Sequence, residues 1–318
     1  MNSKGFIVHE GGRIEETSSI RACEAWGHVP FVWVHLDGRT SDSRHWLGDH
    51  SGLSETMVSA LLAEETRPRA DIVAPGMIVN LRGLGIQSEQ TADPLVSIRV
   101  WAEEGRAISV SFRRLDGIES LEEMMRAGKI LDPGDLISEM AVCITSRLDP
   151  VVAGLGDAVD LLEGRLDERN PRRARRYIAE ARLHAIQYRR FVAPQRAALE
   201  RLAAANLDWL SAEDRDHLRE AADRAARMAE ELEAVRERSA LLHEQLTDLR
   251  TEQIDQRSLV VATIALIFLP LTFVTGLFGM NVPGIPWKDD PQAFLQIAVG
   301  CAIAGLVLWL LVRIRRWV

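Results

Sequence analysis

The chain has 318 residues, and its 38 Lys and Arg residues against 46 Asp and Glu residues give a formal net charge of -8 at pH 7. Apolar residues make up 47% and charged residues 26%, which excludes a disordered or collagen-like protein. The acidic balance argues against a general nucleic-acid binder, because such proteins need a basic surface. Cys23, Cys143 and Cys301 form no CxxC pair, so neither a disulfide framework nor a zinc finger is predicted.

Residues 1–135 are predicted to form a cytoplasmic α/β domain. Apolar runs bounded by turn residues indicate strands, and apolar residues three and four apart indicate helices. The predicted strands are 29–38, 71–81, 95–101 and 107–112, the last two as a hairpin, and the predicted helices are 45–65 and 118–125. No G-x-G-x-x-G, P-loop or nucleophile elbow occurs, so we predict that this domain is not an enzyme.

Residues 136–257 are predicted to be a cytoplasmic helical region that ends in a long stalk helix. Two helices are predicted over 135–167 and 171–205, and the four residues from Ser211 to Asp214 resemble the capping box that starts a helix. From there neither Gly nor Pro occurs before Pro270. A helix that continues into the following apolar segment would have about 70 residues and a length of roughly 105 Å. Helices of that length usually pack against copies of themselves or against neighbours.

Two segments near the C-terminus are long and apolar enough to cross a membrane. Residues 258–280 and 294–312 carry no charged residue, and a helix needs about 20 residues to cross a hydrocarbon core of roughly 30 Å. The loop 281–293 is short, so both flanks of the hairpin lie on one side of the membrane. The basic tail 313–318 assigns that side to the cytoplasm, which predicts an inner-membrane protein in contact with lipid. Trp287 and Trp317 are expected interfacial anchors, and the alternative is that both segments are core helices of a soluble protein.

The first span ends in the tripeptide Gly279-Met280-Asn281. In this position, after a large cytoplasmic domain and before a second span and a basic tail, the tripeptide resembles that of the CorA family of divalent-cation transporters. Within the family the sequence is most similar to the ZntB-type zinc transporters, in the stretches LLAEETRPR, RRFVAPQRAALERL and FLPLTFVTGLFGMN. The loop after the tripeptide reads NVPGIPW, which lacks the Met-Pro-Glu segment of magnesium-type members. It has Pro283-Gly284 where ZntB-like loops often have Gly-Gly.

This resemblance implies a homopentamer in which the first span lines one central pore and Gly279, Met280 and Asn281 form the selectivity filter. In such an assembly Asn281 contributes a ring of neutral amide oxygens, which would bind a divalent cation through its hydration shell. The cargo is predicted to be zinc, with magnesium, cobalt, nickel or cadmium as alternatives, and no other cofactor is predicted. Family analogy offers both passive flux and proton coupling, and neither span contains an acidic or basic residue for a proton relay.

One helical stripe runs back along the first span from Gly279 in steps of three and four residues. Given the resemblance, this stripe is predicted to line the pore, with a hydroxyl near its outer end and apolar rings below it. Its members are Gly276, Thr272, Leu269, Ala265, Val261 and Ser258. The alternative is that the stripe serves helix–helix packing, with glycine present for close contact.

Acidic residues continue the same stripe below the membrane. Glu244, Asp248 and Asp255 would form acidic rings that concentrate cations in a cytoplasmic funnel. The alternative is a charged outer face paired with Arg250 and Arg257. At the other end, the outer mouth is predicted to carry Lys288, Asp289 and Asp290, which either steer hydrated cations or keep the loop soluble.

The sequence therefore predicts an α+β protein with an N-terminal cytoplasmic α/β domain, a helical stalk and two C-terminal transmembrane helices, assembled as a homopentameric funnel. Its predicted partners are copies of itself, membrane lipid, divalent cations and, if transport is coupled, protons. Nucleic acid is not among them. The rival hypothesis from another class is a membrane-anchored coiled-coil scaffold or sensor, in which the two spans are a plain anchor.

Overall fold

The computed structural model describes residues 3–64, 67–86, 93–163, 171–280, 282, 284–287 and 290–314. Two compact units are present, Met1–Leu242 and His243–Val318. The strands are β1 Lys4–Val8, β2 Ile14–Thr17, β3 Phe31–Asp37, β4 Arg69–Val73, β5 Gly76–Leu84, β6 Leu95–Glu103 and β7 Arg106–Ser111. The helices are α1 Ser19–Ala25, α2 Ser41–Asp49, α3 Glu55–Leu62, α4 Ile118–Arg126, α5 Pro133–Glu163, α6 Pro171–Ala203, α7 Ala212–Phe278 and α8 Ala293–Ile314.

The strands form one mixed seven-stranded sheet in the order β2-β1-β3-β7-β6-β5-β4. Only the central pair β3–β7 is parallel among the described strands, with Val34 opposite Ile108. The predicted hairpin is the β6–β7 pair, in which Trp101 lies opposite Ile108. A mixed sheet followed by long helices and two apolar C-terminal helices confirms the predicted fold class.

The core of the first unit lies between the sheet and the short helices α1–α3. β3 is buried at every position because both faces of the central sheet are covered. On one face its residues Val32, Val34 and Leu36 pack in one cluster with Trp46 of α2 and Leu61 of α3. Alternation along the strand, with side chains on opposite faces at successive residues, accounts for this grouping.

Two of the predicted elements are wrong in their extent. The helix predicted over 45–65 is two helices, α2 and α3, because Gly52 takes a φ of +66° between them and Ser54 caps the second. A left-handed residue cannot continue a right-handed helix. The strand predicted over 71–81 is two antiparallel strands, β4 and β5, that turn back on each other at Ala74-Pro75.

The capping box predicted at the start of α7 is confirmed. The Asp214 backbone N–H donates to Ser211 Oγ at 3.1 Å, and the Ser211 backbone N–H donates to Asp214 Oδ2 at 2.9 Å. These two bonds satisfy backbone donors that the first turn of a helix otherwise leaves free. α7 then runs for 67 residues and continues through Pro270.

Candidate functional site

The two predicted spans are both helical. The C-terminal part of α7 and the whole of α8 are long and apolar enough to cross a membrane, judged by length and composition. Their apolar windows are almost entirely exposed within the chain, in contrast to the core helix of a soluble protein. Large exposed side chains on them, such as Phe268 at 61%, Leu269 at 71% and Phe294 at 82%, would be unfavourable in water.

The two helices pack on each other along one face of each. In the apolar part of α7 the half-buried residues are Thr263, Ile267, Leu271, Val274 and Phe278. In α8 the half-buried residues are Ala293, Ile297, Cys301, Gly305 and Leu308, and Val312 is buried. At Gly305 the helices approach closely, because a Cβ there would lie 3.4 Å from Leu271 Cδ1 and 4.0 Å from Ile267 Cγ2. Steps of three and four residues on both helices are the spacing expected of a packed helix pair.

The predicted stripe lies on the other side of α7. At about 100° per residue, the stripe through Leu269 and Thr272 falls on nearly the opposite face from the row through Ile267, Leu271 and Val274. All its members are exposed: Ser258, Val261, Ala265, Leu269, Thr272, Gly276 and Gly279. The packing between α7 and α8 therefore does not use the stripe, and its pore-lining role stays a prediction.

The first span ends where the tripeptide begins. α7 finishes at Phe278, and the Gly279 N–H still donates to the carbonyl oxygen of Thr275 at 2.9 Å. Met280 is 54% exposed and lines a crevice at this end of the helix pair. Asn281 lies outside the described residues, as do Lys288 and Asp289.

Asp290 is the one residue of the predicted outer mouth that the structure describes. It is exposed, and its Oδ1 accepts a hydrogen bond from the Gln292 N–H at 2.8 Å. Its backbone carbonyl accepts a hydrogen bond from the N–H of Ala293, the first residue of α8. Asp290 therefore helps to start the second span, a local role that its position in the sequence did not reveal.

The loop between the spans folds back on the end of α7. The indole ring of Trp287 stacks on Phe278, with ring centroids 6.5 Å apart and an interplanar angle of 10°. The two stacked rings and the ends of the two helices line an open crevice of about 480 Å³. Its walls come from α7, the loop and α8, and include Thr275, Gly279, Met280, Pro286, Phe294 and Cys301. Neither the stack nor the crevice is predictable from the sequence pattern.

The predicted funnel residues are exposed on α7. Glu244, Asp248 and Asp255 all lie at the surface of the chain. Within the described residues, no ion pair joins these carboxylates to Arg250 or Arg257. The alternative of an outer face neutralised within one helix is therefore not observed in the single chain, while the acidic rings stay a prediction.

A carboxylate cluster that sequence reasoning missed lies in the first unit. One oxygen each of Asp132, Asp135 and Asp214 lies within 4.8 Å of the others, which makes them a group that could hold a metal ion. Burial, followed by the neighbouring negative charges, raises the pKa of Asp132 and of Asp135.

The hydrogen bonds of this cluster are those of helix caps. Asp132 Oδ1 accepts from the Asp135 N–H at 2.9 Å, and Asp135 Oδ2 accepts from the Leu131 N–H at 2.8 Å, at the start of α5. Asp214 caps α7 and also accepts from the Ser138 hydroxyl at 3.1 Å. Two capped helix starts that meet account for the cluster. The sequence signal was available, since Asp132 precedes Pro133 in the order typical of an N-cap.

Proteins similar in sequence are transporters of divalent cations. The family described as CorA-like Mg2+ transporter protein matches residues 30–316. This chain belongs to the CorA family. It is 34% identical over 293 residues to the divalent cation transporter CmaX of Pseudomonas aeruginosa, covering 90% of this chain and 87% of that protein. It is 31% identical over 284 residues to the zinc transport protein ZntB of Pectobacterium atrosepticum, covering 88% and 86%.

Solved structures of the family share the fold. The full-length CmaX structure superposes with a TM-score of 0.80 at 31% identity and covers 99% of this chain and 97% of that one. The CorA magnesium transporter of Methanocaldococcus jannaschii superposes with a TM-score of 0.84 at 15% identity and covers 100% and 99%. The predicted family is confirmed. The protein is a divalent-cation transporter of the CorA family, whose members are membrane transporters and not enzymes.

Proposed function

We propose that the protein is a homopentameric transporter of the bacterial inner membrane that carries zinc through a central pore, with Asn281 at the outer filter. The observation that carries this proposal is the unpartnered stripe on α7. It ends at Gly279 and lies on the face opposite to α8. A first span that packs its own second span on one face and presents small, hydroxyl and apolar residues on the other is suited to surround a pore with other copies of itself.

The filter proposed here uses neutral oxygens. Divalent cations hold their hydration shell tightly, so a ring of amide oxygens can bind the hydrated ion without trapping it. Leu269 and Val261, which are 71% and 67% exposed in the single chain, would form apolar rings deeper in the pore. Such rings close a pore by excluding water. The stripe therefore combines an outer recognition site with an inner gate.

Zinc is favoured as the cargo by two observations. Relatives named zinc transport proteins align over most of the chain, and the loop after the tripeptide lacks the Met-Pro-Glu segment of magnesium-type members. The relative CmaX is named for divalent cations without a single metal, so cobalt, nickel and magnesium belong in the same assay. The two spans form a hairpin, and the arginines Arg313, Arg315 and Arg316 favour a cytoplasmic location for both termini.

Uptake into proteoliposomes of the purified full-length protein tests the proposal. We expect zinc flux in the wild type, its loss in Asn281→Ala with the oligomer mass unchanged, and normal flux in the matched control Asn206→Ala, an exposed residue of the first unit. The same vesicles with an imposed pH gradient distinguish proton-coupled from passive transport. Flux that is indifferent to Asn281→Ala would reject the proposed filter and favour the membrane-anchored scaffold.

A further inference from the structure

Trp287 has a backbone conformation that large residues avoid. Its φ is +58°, and no other non-glycine residue in the described ranges has a positive φ. In this left-handed region the Cβ atom crowds the following carbonyl oxygen, so the conformation costs free energy for every residue except glycine. A bulky residue remains there only when surrounding contacts hold it, and such residues concentrate at functional sites.

The contacts that hold Trp287 connect the ends of the two spans. Its ring stacks on Phe278, the last residue of α7, and its carbonyl oxygen accepts a hydrogen bond from the Asp290 N–H at 3.1 Å. Asp290 in turn accepts from the Gln292 and Ala293 N–H groups at 2.8 and 3.2 Å, where α8 begins. Trp287 is therefore linked through Asp290 to the start of α8, and its ring stacks on the last residue of α7.

The last turn of α7 packs on α8 through Val274 and Phe278, whereas the first two residues of the tripeptide that follows are exposed. Gly279 and Met280 line the crevice of about 480 Å³ and are both exposed, so close packing does not fix their position. A Cβ placed on Gly276, one turn earlier, would meet no atom within 4 Å. The stack of Trp287 on Phe278 is thus the described aromatic contact nearest to the tripeptide, and it acts directly on the residue before Gly279.

We propose that Trp287 is a positioning residue for ion selectivity: its stack on Phe278 fixes the last turn of α7 and so sets the spacing of the filter oxygens that follow. This inference rests on the proposed function. Discrimination between divalent cations depends on how closely the oxygen ligands hold the geometry that each ion or its hydration shell requires, and magnesium is the most demanding. A loosened turn would let the ring accommodate several ions and so lose discrimination while it still conducts.

The test compares variants that separate the ring from the backbone strain. Trp287→Gly removes the ring and tolerates the positive φ, Trp287→Phe keeps a ring that can stack, and Trp309→Ala is the matched control on α8. Initial rates of zinc and magnesium uptake are measured in proteoliposomes. We expect Trp287→Gly to lower the ratio of the zinc rate to the magnesium rate roughly two- to tenfold, the range that an aromatic pair can supply. We expect Trp287→Phe and Trp309→Ala to keep the wild-type ratio.

A double-mutant cycle shows whether Trp287 acts through Phe278. If it does, Phe278→Ala combined with Trp287→Gly changes the rate ratio no more than Trp287→Gly alone. Additive effects would overturn the inference.

Where Trp287→Gly does not assemble, Trp287→Leu serves the same purpose, because leucine keeps apolar bulk but cannot stack. A wild-type ratio in the ring-less variant would overturn the inference and leave the proposed function intact, provided that Asn281→Ala abolishes flux. If Asn281→Ala has no effect, the proposed function itself fails.

Discussion

At the scale of single residues, the three carboxylates where α5 and α7 begin give a pH dependence with a defined sign. Because burial and mutual repulsion raise the pKa of Asp132 and Asp135, the folded protein holds more protons than the unfolded chain between the ordinary carboxyl pKa and the raised one. Stability from these groups is therefore gained as the pH falls through that window. At neutral pH the ionised cluster opposes folding.

Asp135→Asn is expected to raise the midpoint of thermal unfolding at pH 7, because the amide oxygen can still accept from the Leu131 N–H while the charge is gone. This advantage should shrink as the pH falls through the raised pKa of the wild-type carboxyls, because they become protonated there and lose their charge. Thermal unfolding of the full-length protein in detergent across this pH range measures both effects. Asp208→Asn, at an exposed position, is the control. A lower midpoint for Asp135→Asn at neutral pH would contradict the prediction.

A second residue-scale prediction concerns the buried pair Glu103 and Arg106. Arg106 is 3% exposed, its Nε donates to Glu103 Oε1 at 2.7 Å, and its guanidinium lies 3.7 Å from the ring of Trp26. Glu103→Gln removes the only carboxylate that the described residues pair with this buried cation. The cost should be about 3 kcal/mol, as for other buried pairs broken at one end, and should appear as a lower unfolding midpoint.

The exposed pair of Arg114 and Glu119 provides the comparison for this prediction. Glu119 is 60% exposed in its side chain, so Glu119→Gln should change stability by less than about 1 kcal/mol. Equal shifts of the unfolding midpoint in the two variants would show that the environment of Arg106 is better hydrated than its burial indicates.

At the scale of elements, the contact between the two spans predicts different outcomes for two glycines of α8. A Cβ on Gly305 would lie 3.4 Å from Leu271, so alanine fits but leucine would force α7 and α8 apart, whereas a Cβ on Gly300 would meet no atom within 4 Å. Gly305→Leu is expected to destabilise the protein by about 1–3 kcal/mol, as overpacking does, and Gly300→Leu to have little effect. Unfolding midpoints in detergent measure the difference, and equal behaviour would contradict the packing described.

The long helices, the strand β3 and the β6–β7 hairpin were predictable from the sequence, and the rest of the sheet was not. α5 and α6 begin at a proline, and α7 begins with the mutual cap of Ser211 and Asp214. These helices begin close to the predicted residues, while 164–167, the predicted end of α5, lie outside the described residues. β1, β2 and α1 have only 5, 4 and 7 residues, too few for a periodic pattern to stand out. The parallel pairing of β3 with β7 joins segments far apart in the chain, and no local pattern encodes such a pairing.

The candidate site also contains some features that were predictable from the sequence and others that were not. That the residues of the stripe share one exposed face of α7 was predictable from helical periodicity alone, because spacing along a helix determines which residues share a face. Trp287 could be predicted only as an interfacial anchor, since a left-handed tryptophan stacked on Phe278 has no signature in the order of residues. The carboxylate cluster likewise depends on α5 and α7 beginning at the same place in space.

At the scale of the whole molecule, the acidic residues of α7 predict a flux that depends on salt. Because Glu244, Asp248 and Asp255 are exposed and lack ion-pair partners among the described residues, copies assembled as proposed would attract cations by their long-range field. The variant Glu244→Gln, Asp248→Asn, Asp255→Asn should reduce zinc flux several-fold at about 10 mM ionic strength, and the reduction should fade near 0.3 M, where the Debye length is shorter. A reduction that is independent of salt would contradict a role through the field.

The placement of α8 against the face of α7 opposite to the stripe has a mechanical consequence for the proposed assembly. The contact of Leu271 with Gly305 lies on the face of α7 away from the stripe, so contacts of the stripe with other copies could change without breaking it. The centre of the ring could then widen or narrow by rearranging contacts between subunits alone. A change in the width of the proposed ring would then not require the packing between α7 and α8 to be broken, and a cation that binds one width more tightly would shift the balance towards that width.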